Sequence, residues 1–396
     1  MPRLNRPQRP AHILISNIPE HGHINPTLAI VTELVRRGHR VSYPVTEEFA
    51  PRVAKAGAIP LIYRSTLPST ISRDEWPADV AEGLALFLEE AMAVVPGQLA
   101  AFEEDRPDLV VYDITAHGAR VLAHHWNVAS VQLCPSHAIP HQVQREFDGL
   151  YSYNQDWIAY RARFRNFLDA HGISLSVGEY LSSPERCVVM IPREFQLKPE
   201  MLSDRYVFVG PCLREGDSQG SWVSPAVDRQ VLYISLGSCY ANRPQFYREC
   251  IDAFAGLEPW HVVLSVGHRV DPAVLGELPP HMEVHRSVPQ LEVLARASAF
   301  VTHGGMGSVL EALSYGVPMV AVPQAVDQPA NARQIAKLGL GAWLSPRKAT
   351  AAALREAVLS VSSAPEVADR LKEMQRAIQD AGGAMAAADV IEEYLS

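Results

Sequence analysis

The run Phe300-Val-Thr-His-Gly-Gly-Met-Gly-Ser308 changes character halfway along its length. It starts as an apolar β-type segment, breaks at three glycines and continues as a helical pattern after Ser308. A strand, a glycine turn and a helix N-terminus in this order form an anion site, because unpaired backbone N–H groups and the helix dipole point at the turn. We therefore predict that His303, Ser308 and Glu311 bind phosphates and a ribose.

The same order of elements begins near the N-terminus. Residues 11–16 predict a buried strand, 17–26 a loop that precedes a helix, and 39–45 a second strand. A strand, a helix and a strand within about 35 residues make a βαβ unit, so the sheet is parallel. A second parallel series starts at Val231, after a segment rich in Gly, Ser and Pro.

A chain of 396 residues suits two domains of roughly 150–200 residues each. The predicted fold is α/β, with two Rossmann-like doubly wound domains that face a cleft, and with the carboxyl ends of both sets of strands at that cleft. We place the first domain at 1–212, a linker at 213–230, the second domain at 231–380 and a final helical segment at 381–396.

Composition narrows the class of protein. Hydrophobic residues make up 47% and charged residues 20% of the chain, which is typical of a globular protein with sizeable cores. A net charge of −9 and a pI near 5.9 argue against nucleic acid or an anionic membrane as a partner. Five widely spaced cysteines without a CxxC pair favour free, buried thiols. We find neither a signal peptide nor an uninterrupted run of about 18 apolar residues, and we predict a cytoplasmic protein.

Two histidines, His21 and His23, follow the first predicted strand, where doubly wound folds bind their ligands. A histidine in a cleft acts as a general base when a carboxylate orients it and stabilises the imidazolium. Asp113 ends a later strand of the same sheet and reaches the same place. The alternative is that one histidine packs on the helix and the other is solvated. Zinc binding is disfavoured because no third ligand is visible nearby.

Other motifs follow strands of the second half. Ser238 lies at another glycine turn, and two such turns suit either a nucleotide-diphosphate site or ordinary tight turns between strands and helices. The Walker pattern is missing, as is G-x-G-x-x-G after the first strand, which disfavours P-loop enzymes and dinucleotide dehydrogenases. Asp327 and Gln328 suit adjacent hydroxyls of a sugar, although an Asp before a helix is also a common N-cap. The aromatic region 136–167 suits either a packed core or a site for a large apolar acceptor.

Together these motifs resemble the family 1 nucleotide-sugar glycosyltransferases of the GT-B fold, and they are similar to the bacterial macrolide and flavonoid glucosyltransferases. The resemblance covers nearly the whole chain and includes the segments 17–26 and 108–113. Its most specific part is the ordered series Val288-Pro-Gln290, Thr302-His-Gly-Gly-Met-Gly-Ser308, Glu311, Gly316-Val-Pro318, Asp327-Gln328 and Asn331.

The resemblance implies a role for each matching residue. His23 is expected to be the catalytic base and Asp113 its partner. Contacts to the donor are expected from Ser238, Arg286, Val288, Gln290, His303, Gly305, Gly307, Ser308, Glu311, Asp327 and Gln328. Contacts to the acceptor are expected from Ile18, Trp76, Phe87, Ser136, Phe147 and Tyr151. The first domain then binds the acceptor, the second binds the nucleotide sugar, and the final helix packs back on the first domain.

The implied reaction inverts the anomeric centre with no metal and no bound cofactor. It moves a sugar, glucose above all, from a UDP-sugar to a hydroxyl of an apolar small molecule such as a macrolide, another polyketide antibiotic or a flavonoid. Many relatives carry a Trp just before Val-Pro-Gln, and its ring stacks on the nucleobase of the donor. Here that position is Ser287, preceded by Arg286, so a TDP-deoxysugar donor stays open.

Two alternatives come from other classes. One is a nucleotide-sugar epimerase on the same fold, against which the aromatic region 136–167 speaks. The other is a nucleotide-sugar-binding protein without catalysis, against which the presence of both His23 and Asp113 speaks. We expect a monomer or a homodimer.

Overall fold

The computed structural model describes residues 10–68, 77, 79–213, 222–237, 241–257 and 259–395. The chain divides into two compact units, one formed by Met1–Arg214 with Ala381–Ser396 and the other by Glu215–Asp380. Two predicted site residues, Trp76 and Ser238, lie outside the described residues.

The first unit is built on a parallel sheet of seven strands. The strands are β1 (His12–Ser16), β2 (Arg40–Val45), β3 (Ile59–Ile62), β4 (Leu109–Asp113), β5 (Ala129–Cys134), β6 (Cys187–Val189) and β7 (Tyr206–Phe208). The helices are α1 (His21–Arg36), α2 (Ala50–Lys55), α3 (Val80–Ala101), α4 (His117–Trp126), α5 (His141–Leu150), α6 (Gln155–Ala170) and α7 (Val177–Ser182). The strand order is β3-β2-β1-β4-β5-β6-β7.

The central strands of this sheet are buried on both faces, as expected of parallel strands covered by helices. Ile13 and Ile15 of β1 pack into one apolar cluster with residues of α1. Leu14 points the other way and packs into a second cluster with residues of α3, α4 and α6. Alternate side chains therefore contact opposite helical layers, because successive residues of a strand face opposite sides.

The second unit repeats the architecture with six parallel strands. They are β8 (Gln230–Ser235), β9 (Trp260–Ser265), β10 (Met282–His285), β11 (Ala297–Thr302), β12 (Met319–Ala321) and β13 (Gly341–Trp343), in the order β10-β9-β8-β11-β12-β13. The helices are α8 (Pro244–Phe254), α9 (Gln290–Leu294), α10 (Met306–Tyr315), α11 (Gln328–Lys337), α12 (Ala351–Ser363) and α13 (Pro365–Ala381). The prediction of two doubly wound α/β domains is confirmed.

The last helix, α14 (Gly383–Glu392), packs in the first unit. Its residues Ala387, Ala388 and Ile391 belong to the same apolar core as α1. The guanidinium of Arg37, at the end of α1, donates hydrogen bonds to carboxylates of α14, at 2.8 Å from Glu392 Oε2. The chain thus leaves the first unit, forms the second and returns to the first.

The predicted loop at 17–26 is wrong in its second half. Helix α1 begins at His21 and has the extended residue Glu20 as its N-cap. Pro26 lies in the second turn, where it costs one backbone hydrogen bond without ending the helix. His21 and His23 therefore lie on the first turn of a helix.

Helix α3 is long and apolar enough, by length and composition, to cross a membrane. Two glutamates at 89 and 90 interrupt the segment, so it is not a continuous apolar run in the sequence. The helix packs against α4 and α6 and buries the polar side chains of Glu90 and Gln98. Helices of globular proteins pass the same test, so length and composition alone assign no membrane segment.

The aromatic region and the cysteines are largely structural. Trp157, Tyr160, Phe164 and Phe167 of α6 are buried in the core between α3, α4 and α6, so these residues follow the core alternative. Four cysteines are free and buried, namely Cys134, Cys187, Cys212 and Cys250, and Cys239 lies outside the described residues.

Candidate active site

The strand order of each sheet reverses once, between β1 and β4 in the first unit and between β8 and β11 in the second. Doubly wound folds bind ligands at the carboxyl ends of the strands, at such a reversal. In the first unit this place carries His23, after β1, and Asp113, at the end of β4. In the second unit it carries Gly237 and His303, after β8 and β11.

His23 and Asp113 form a hydrogen-bonded pair, with 2.8 Å between Nδ1 of the ring and Oδ2 of the carboxylate. Asp113 is fully buried, whereas the His23 side chain is 24% exposed. The other oxygen of Asp113 accepts hydrogen bonds from the backbone N–H and the hydroxyl of Thr115. The oriented carboxylate accepts a hydrogen bond from Nδ1–H, so the neutral ring carries its lone pair on Nε2. Such a ring can accept a proton, and Asp113 stabilises the cation that results.

Asn17 holds the first turn of α1 beside the end of β1. Its side-chain amide donates to the backbone carbonyl of His23 and to the hydroxyl of Thr27, both at 3.0 Å. Its carbonyl oxygen accepts a hydrogen bond of 3.0 Å from the buried hydroxyl of Tyr43. Asn17 thereby positions the backbone that carries His23.

His21 lies in a different environment from His23. Arg52 donates to its Nδ1 at 3.2 Å, and Glu48 Oε1 lies 3.8 Å from its Nε2. Burial, with a contribution from the charge of Arg52, lowers the pKa of His21. Burial raises the pKa of the neighbouring Glu20 to about 7, while the charge of His23 acts in the opposite direction.

Two equivalent turns follow the central strands of the second unit. The side-chain oxygens of Ser235 and Thr302, which pair in register, each accept a hydrogen bond of 3.2 Å from the N–H of the glycine two residues further on. These glycines, Gly237 and Gly304, have φ of 76° and 80°, a region that favours glycine. The second turn leads into α10, whose first N–H groups lack partners within the helix.

The ring of His303 is enclosed by these turns. A Cβ atom added to Gly237 would lie 2.7 Å from the ring, and one added to Gly305 would overlap Nε2. Burial lowers the pKa of His303 to about 4, so the ring is neutral at neutral pH. Among the described residues its Nδ1 has no hydrogen-bond partner. The glycines thus place a neutral imidazole beside the N-terminus of α10.

Gln290 connects several predicted donor contacts of the second unit. Its side-chain N–H₂ donates to a carboxylate oxygen of Glu311 and, at 3.3 Å, to the hydroxyl of Ser308. Its carbonyl oxygen accepts a hydrogen bond of 2.9 Å from Tyr233, whose ring stacks on Phe300. Burial raises the pKa of Glu311 to about 7, which the hydrogen bond from Gln290 partly offsets.

Asp327 and Gln328 begin α11. Asp327 is the N-cap residue by position, but it makes no side-chain capping bond, and its carboxylate accepts from Asn331 at 2.9 Å. Asn331 also donates to the carbonyl of Gly304, which joins α11 to the glycine turn. The side-chain oxygen Oε1 of Gln328 accepts hydrogen bonds from the backbone N–H groups of 324 and 325 and so closes the preceding loop.

The predicted nucleobase contacts differ in exposure. Val288 is buried, whereas Ser287 and Arg286 are exposed. The guanidinium of Arg286 donates to the carbonyl of His268 at 3.1 Å and lies 3.7 Å from Asp271. Stacking of Arg286 on a base stays a prediction.

The predicted acceptor contacts are not all brought together. Ile18 and Phe87 line one cavity near the ends of β1 and β4. Phe147 and Tyr151 are half-buried and pack on Trp157, with ring centroids 5.2 and 5.5 Å away. Ser136 follows β5 and is half-buried, and its carbonyl accepts from the Cys134 thiol.

Several residues around these sites were missed in the sequence analysis. Thr115 orients Asp113, Asn17 supports His23, and Tyr233 orients Gln290. The signal available for the first two is a polar residue one or two positions after a strand at the reversal of the sheet. In the part of the chain that the structure describes, no group of three or more His, Cys, Asp or Glu could hold a metal ion.

Comparison with known proteins places the chain in a family. Residues 250–385 match the family model described as "Erythromycin biosynthesis protein CIII-like, C-terminal domain". The chain is 42% identical to the oleandomycin glycosyltransferase of Streptomyces antibioticus, over 98% of this chain and 91% of that protein. It is 40% identical to the NDP-glycosyltransferase YjiC of Bacillus licheniformis, over 97% and 98%.

A solved structure gives the same result. The glycotransferase of kitacinnamycin superposes with a TM-score of 0.91 at 40% identity, over 98% of this chain and 100% of that chain. These matches extend over nearly the full length of the chain, so they include both doubly wound units and the predicted motifs. The chain belongs to the family 1 glycosyltransferases of the GT-B fold.

Proposed function

We propose that this glycosyltransferase moves glucose from UDP-glucose to a hydroxyl of an apolar small molecule, with inversion at the anomeric carbon and without a metal or bound cofactor. The observation that carries the proposal is the His23–Asp113 pair at the reversal of the first sheet. The acceptor is a macrolide or another polyketide antibiotic, a class supported by relatives named for oleandomycin and kitacinnamycin. A flavonoid acceptor and a cytoplasmic location remain predictions, as does a monomer or homodimer.

The acceptor hydroxyl has a high pKa and must lose its proton as its oxygen attacks the anomeric carbon. Nε2 of His23 takes this proton, and the buried carboxylate of Asp113 stabilises the imidazolium. General-base assistance of this kind contributes about 10²–10⁴-fold to the rate. The new bond forms between the acceptor oxygen and the anomeric carbon as the bond to the diphosphate oxygen breaks.

The diphosphate gains negative charge as that bond breaks. The first N–H groups of α10 and the adjacent ring of His303 suit this charge, because a helix N-terminus offers unpaired donors and a positive dipole end. A neutral His303 binds the diphosphate as a hydrogen-bond donor, not as a cation. Asp327 and Gln328 bind hydroxyls of the donor sugar.

The proposal also concerns the nucleotide of the sugar donor. Glu311 favours a ribonucleotide, since a carboxylate can accept from both the 2′ and 3′ hydroxyls of a ribose. Ser287 leaves a TDP-deoxysugar donor as the alternative, because it provides no aromatic ring to stack on uracil. A parallel assay of UDP-glucose, TDP-glucose and a TDP-deoxysugar with one macrolide, followed by mass spectrometry, decides between them.

The role of His23 is tested by comparing His23→Ala with His21→Ala. Transfer from UDP-glucose is measured as kcat/KM, and UDP affinity is measured by calorimetry. We expect His23→Ala to lose about 10²–10⁴-fold in kcat/KM with little change in UDP affinity. The ring of His21 contacts Arg52 and Glu48, so His21→Ala should lower kcat/KM only a few-fold. Unchanged turnover in His23→Ala, or equal losses in both variants, would refute the assignment.

A further inference from the structure

A second group of polar side chains lies behind the His23–Asp113 pair, in a cavity of the first unit. The segments at the ends of β1 and β4, residues 16–18 and 115–119, form part of its wall. Helix α3 forms the opposite wall through Phe87, Glu90, Val94 and Gln98, which recur at helical spacing on one face. The cavity therefore lies at the carboxyl ends of β1 and β4, the strands that precede His23 and end in Asp113.

Three residues that line this cavity each have one buried polar atom without a hydrogen-bond partner among the described residues. These atoms are Oε1 of Glu90, Oε1 of Gln98 and Nε2 of His117. All three side chains are more than nine-tenths buried. A buried polar atom without a partner costs about 1–3 kcal/mol, so three in one cavity indicate that the cavity receives a polar group.

The two oxygens of Glu90 differ in their surroundings. Oε2 accepts hydrogen bonds of 2.7 Å from both the backbone N–H and the hydroxyl of Thr66, as a carboxylate oxygen does. Oε1 has no hydrogen-bond partner among the described residues, and Glu90 lines the cavity. The hydrogen bonds described for Glu90 come from uncharged groups of Thr66 and Tyr63. Burial lowers the pKa of His117 to about 4, so His117 supplies no positive charge at neutral pH.

The chemistry of the missing partner follows from these atoms. Glu90 Oε1 and Gln98 Oε1 only accept hydrogen bonds, and a neutral imidazole nitrogen can also accept one. A primary ammonium has three donors and no acceptor, whereas a hydroxyl has one donor and a neutral amide two. An ammonium therefore has enough donors for these atoms, and its charge is opposite to that of a carboxylate at Glu90.

Size limits the group further. The space open to the centre of a water-sized sphere is about 20 Å³. A single water molecule needs about 10–15 Å³ by this measure. The cavity thus receives one terminal group and not a ring, while Ile18 and Phe87 at its wall contact the apolar part that carries the group.

We propose that Glu90, Gln98 and His117 form a subsite for a primary ammonium group of the acceptor, so that the enzyme prefers amine-bearing acceptors. This inference rests on the proposed function, because it places the acceptor beside His23. Glu90 is a specificity-determining residue in this scheme and takes no part in proton transfer.

The test uses a matched pair of phenols, tyramine and tyrosol, which differ in a terminal ammonium or hydroxyl. Binding of each to the full-length protein is measured by calorimetry without a donor. We expect tyramine to bind about 10- to 100-fold more tightly than tyrosol, and Glu90→Gln to remove this preference. Glu89→Gln, the exposed neighbour on α3, should leave the preference unchanged.

No preference in the wild type, including no binding of either phenol, overturns the inference, as does a preference that survives Glu90→Gln. In both cases the cavity holds only water. Thermal unfolding of each variant shows whether Glu90→Gln is folded, and Gln98→Leu provides a second variant with the same expected loss of preference. Transfer of glucose to 4-nitrophenol, which has no amine, is assayed separately. If glucose is transferred but tyramine is not preferred, this inference is wrong and the proposed function stands. If tyramine is preferred through Glu90 but no acceptor is glucosylated, the proposed function is wrong and this inference stands.

Discussion

Glu311 is half protonated near neutral pH, because burial raises its pKa to about 7. Ribose hydroxyls donate hydrogen bonds to a carboxylate, so a bound nucleotide favours the ionised form and Glu311 must lose its proton on binding. Nucleotide affinity should therefore rise as the pH increases through 7 and level off above it. Between pH 6 and pH 8 we expect about a tenfold gain in UDP affinity from this group.

Calorimetry of UDP binding across this pH range measures the effect. Glu311→Gln is the control, because it removes the titrating group and leaves the titration of the phosphate itself. The variant should bind UDP more weakly and with a flatter pH profile. Parallel profiles for the variant and the wild type would show that Glu311 does not ionise on binding.

The local pattern alone gives no choice between the two neighbouring histidines, and the family resemblance predicted His23 as the base. His21 and His23 have equal standing in the pattern, and only the structure shows Asp113 against His23 and Arg52 against His21. The side-chain network around Gln290 joins residues from three separate segments, which no local pattern reports. Glu90 and Gln98 were not predicted either, because polar residues on a helix are usually solvated.

The elements themselves were easier to predict. The glycine turn between β11 and α10 is specified locally, because glycines are required where φ is positive. The start of α1 was not, because Pro26 suggests that the loop continues, whereas the helix begins at His21 and includes Pro26. Local chemistry thus predicted the turn but not this helix boundary.

Gly305 and Gly307 allow a test of the glycine turn. An alanine at 305 would overlap the His303 ring, whereas nothing lies within 4 Å of a Cβ at 307. Gly305→Ala should lower the free energy of unfolding of the second unit by about 1–3 kcal/mol, as overpacking does, and weaken UDP binding. Gly307→Ala keeps its backbone N–H and should gain about 0.4–1 kcal/mol, since its backbone is helical.

Urea unfolding and UDP calorimetry of both variants check this prediction. Retention of wild-type stability and UDP affinity in Gly305→Ala would mean that His303 moves aside at no cost. The imidazole would then not be positioned by the glycines.

In the whole molecule, each unit reverses its strand order once, and each reversal carries the residues that the sequence motifs singled out. The rule that places ligands at the carboxyl ends of parallel strands therefore predicts one site in each unit from the strand order alone. Among the described elements, α14 departs from sequential order, because it follows α13 of the second unit but packs in the first. No periodicity in 383–392 predicts that partner, because an apolar helical stripe specifies burial and not which core receives it.

The packing of α14 predicts that a mutation near the C-terminus destabilises the N-terminal unit. Ile391 is fully buried in the core that contains Ile13 and Leu34, whereas Met385 on the same helix is 62% exposed. Ile391→Ala should cost about 2–5 kcal/mol, and Met385→Ala much less. Hydrogen exchange followed by mass spectrometry should show faster exchange in β1, β2 and β4 of Ile391→Ala, with β8, β9 and β11 unchanged. Equal acceleration in both sheets would show that the units unfold together, and no acceleration in β1 would show that α14 adds little to the stability of the first unit.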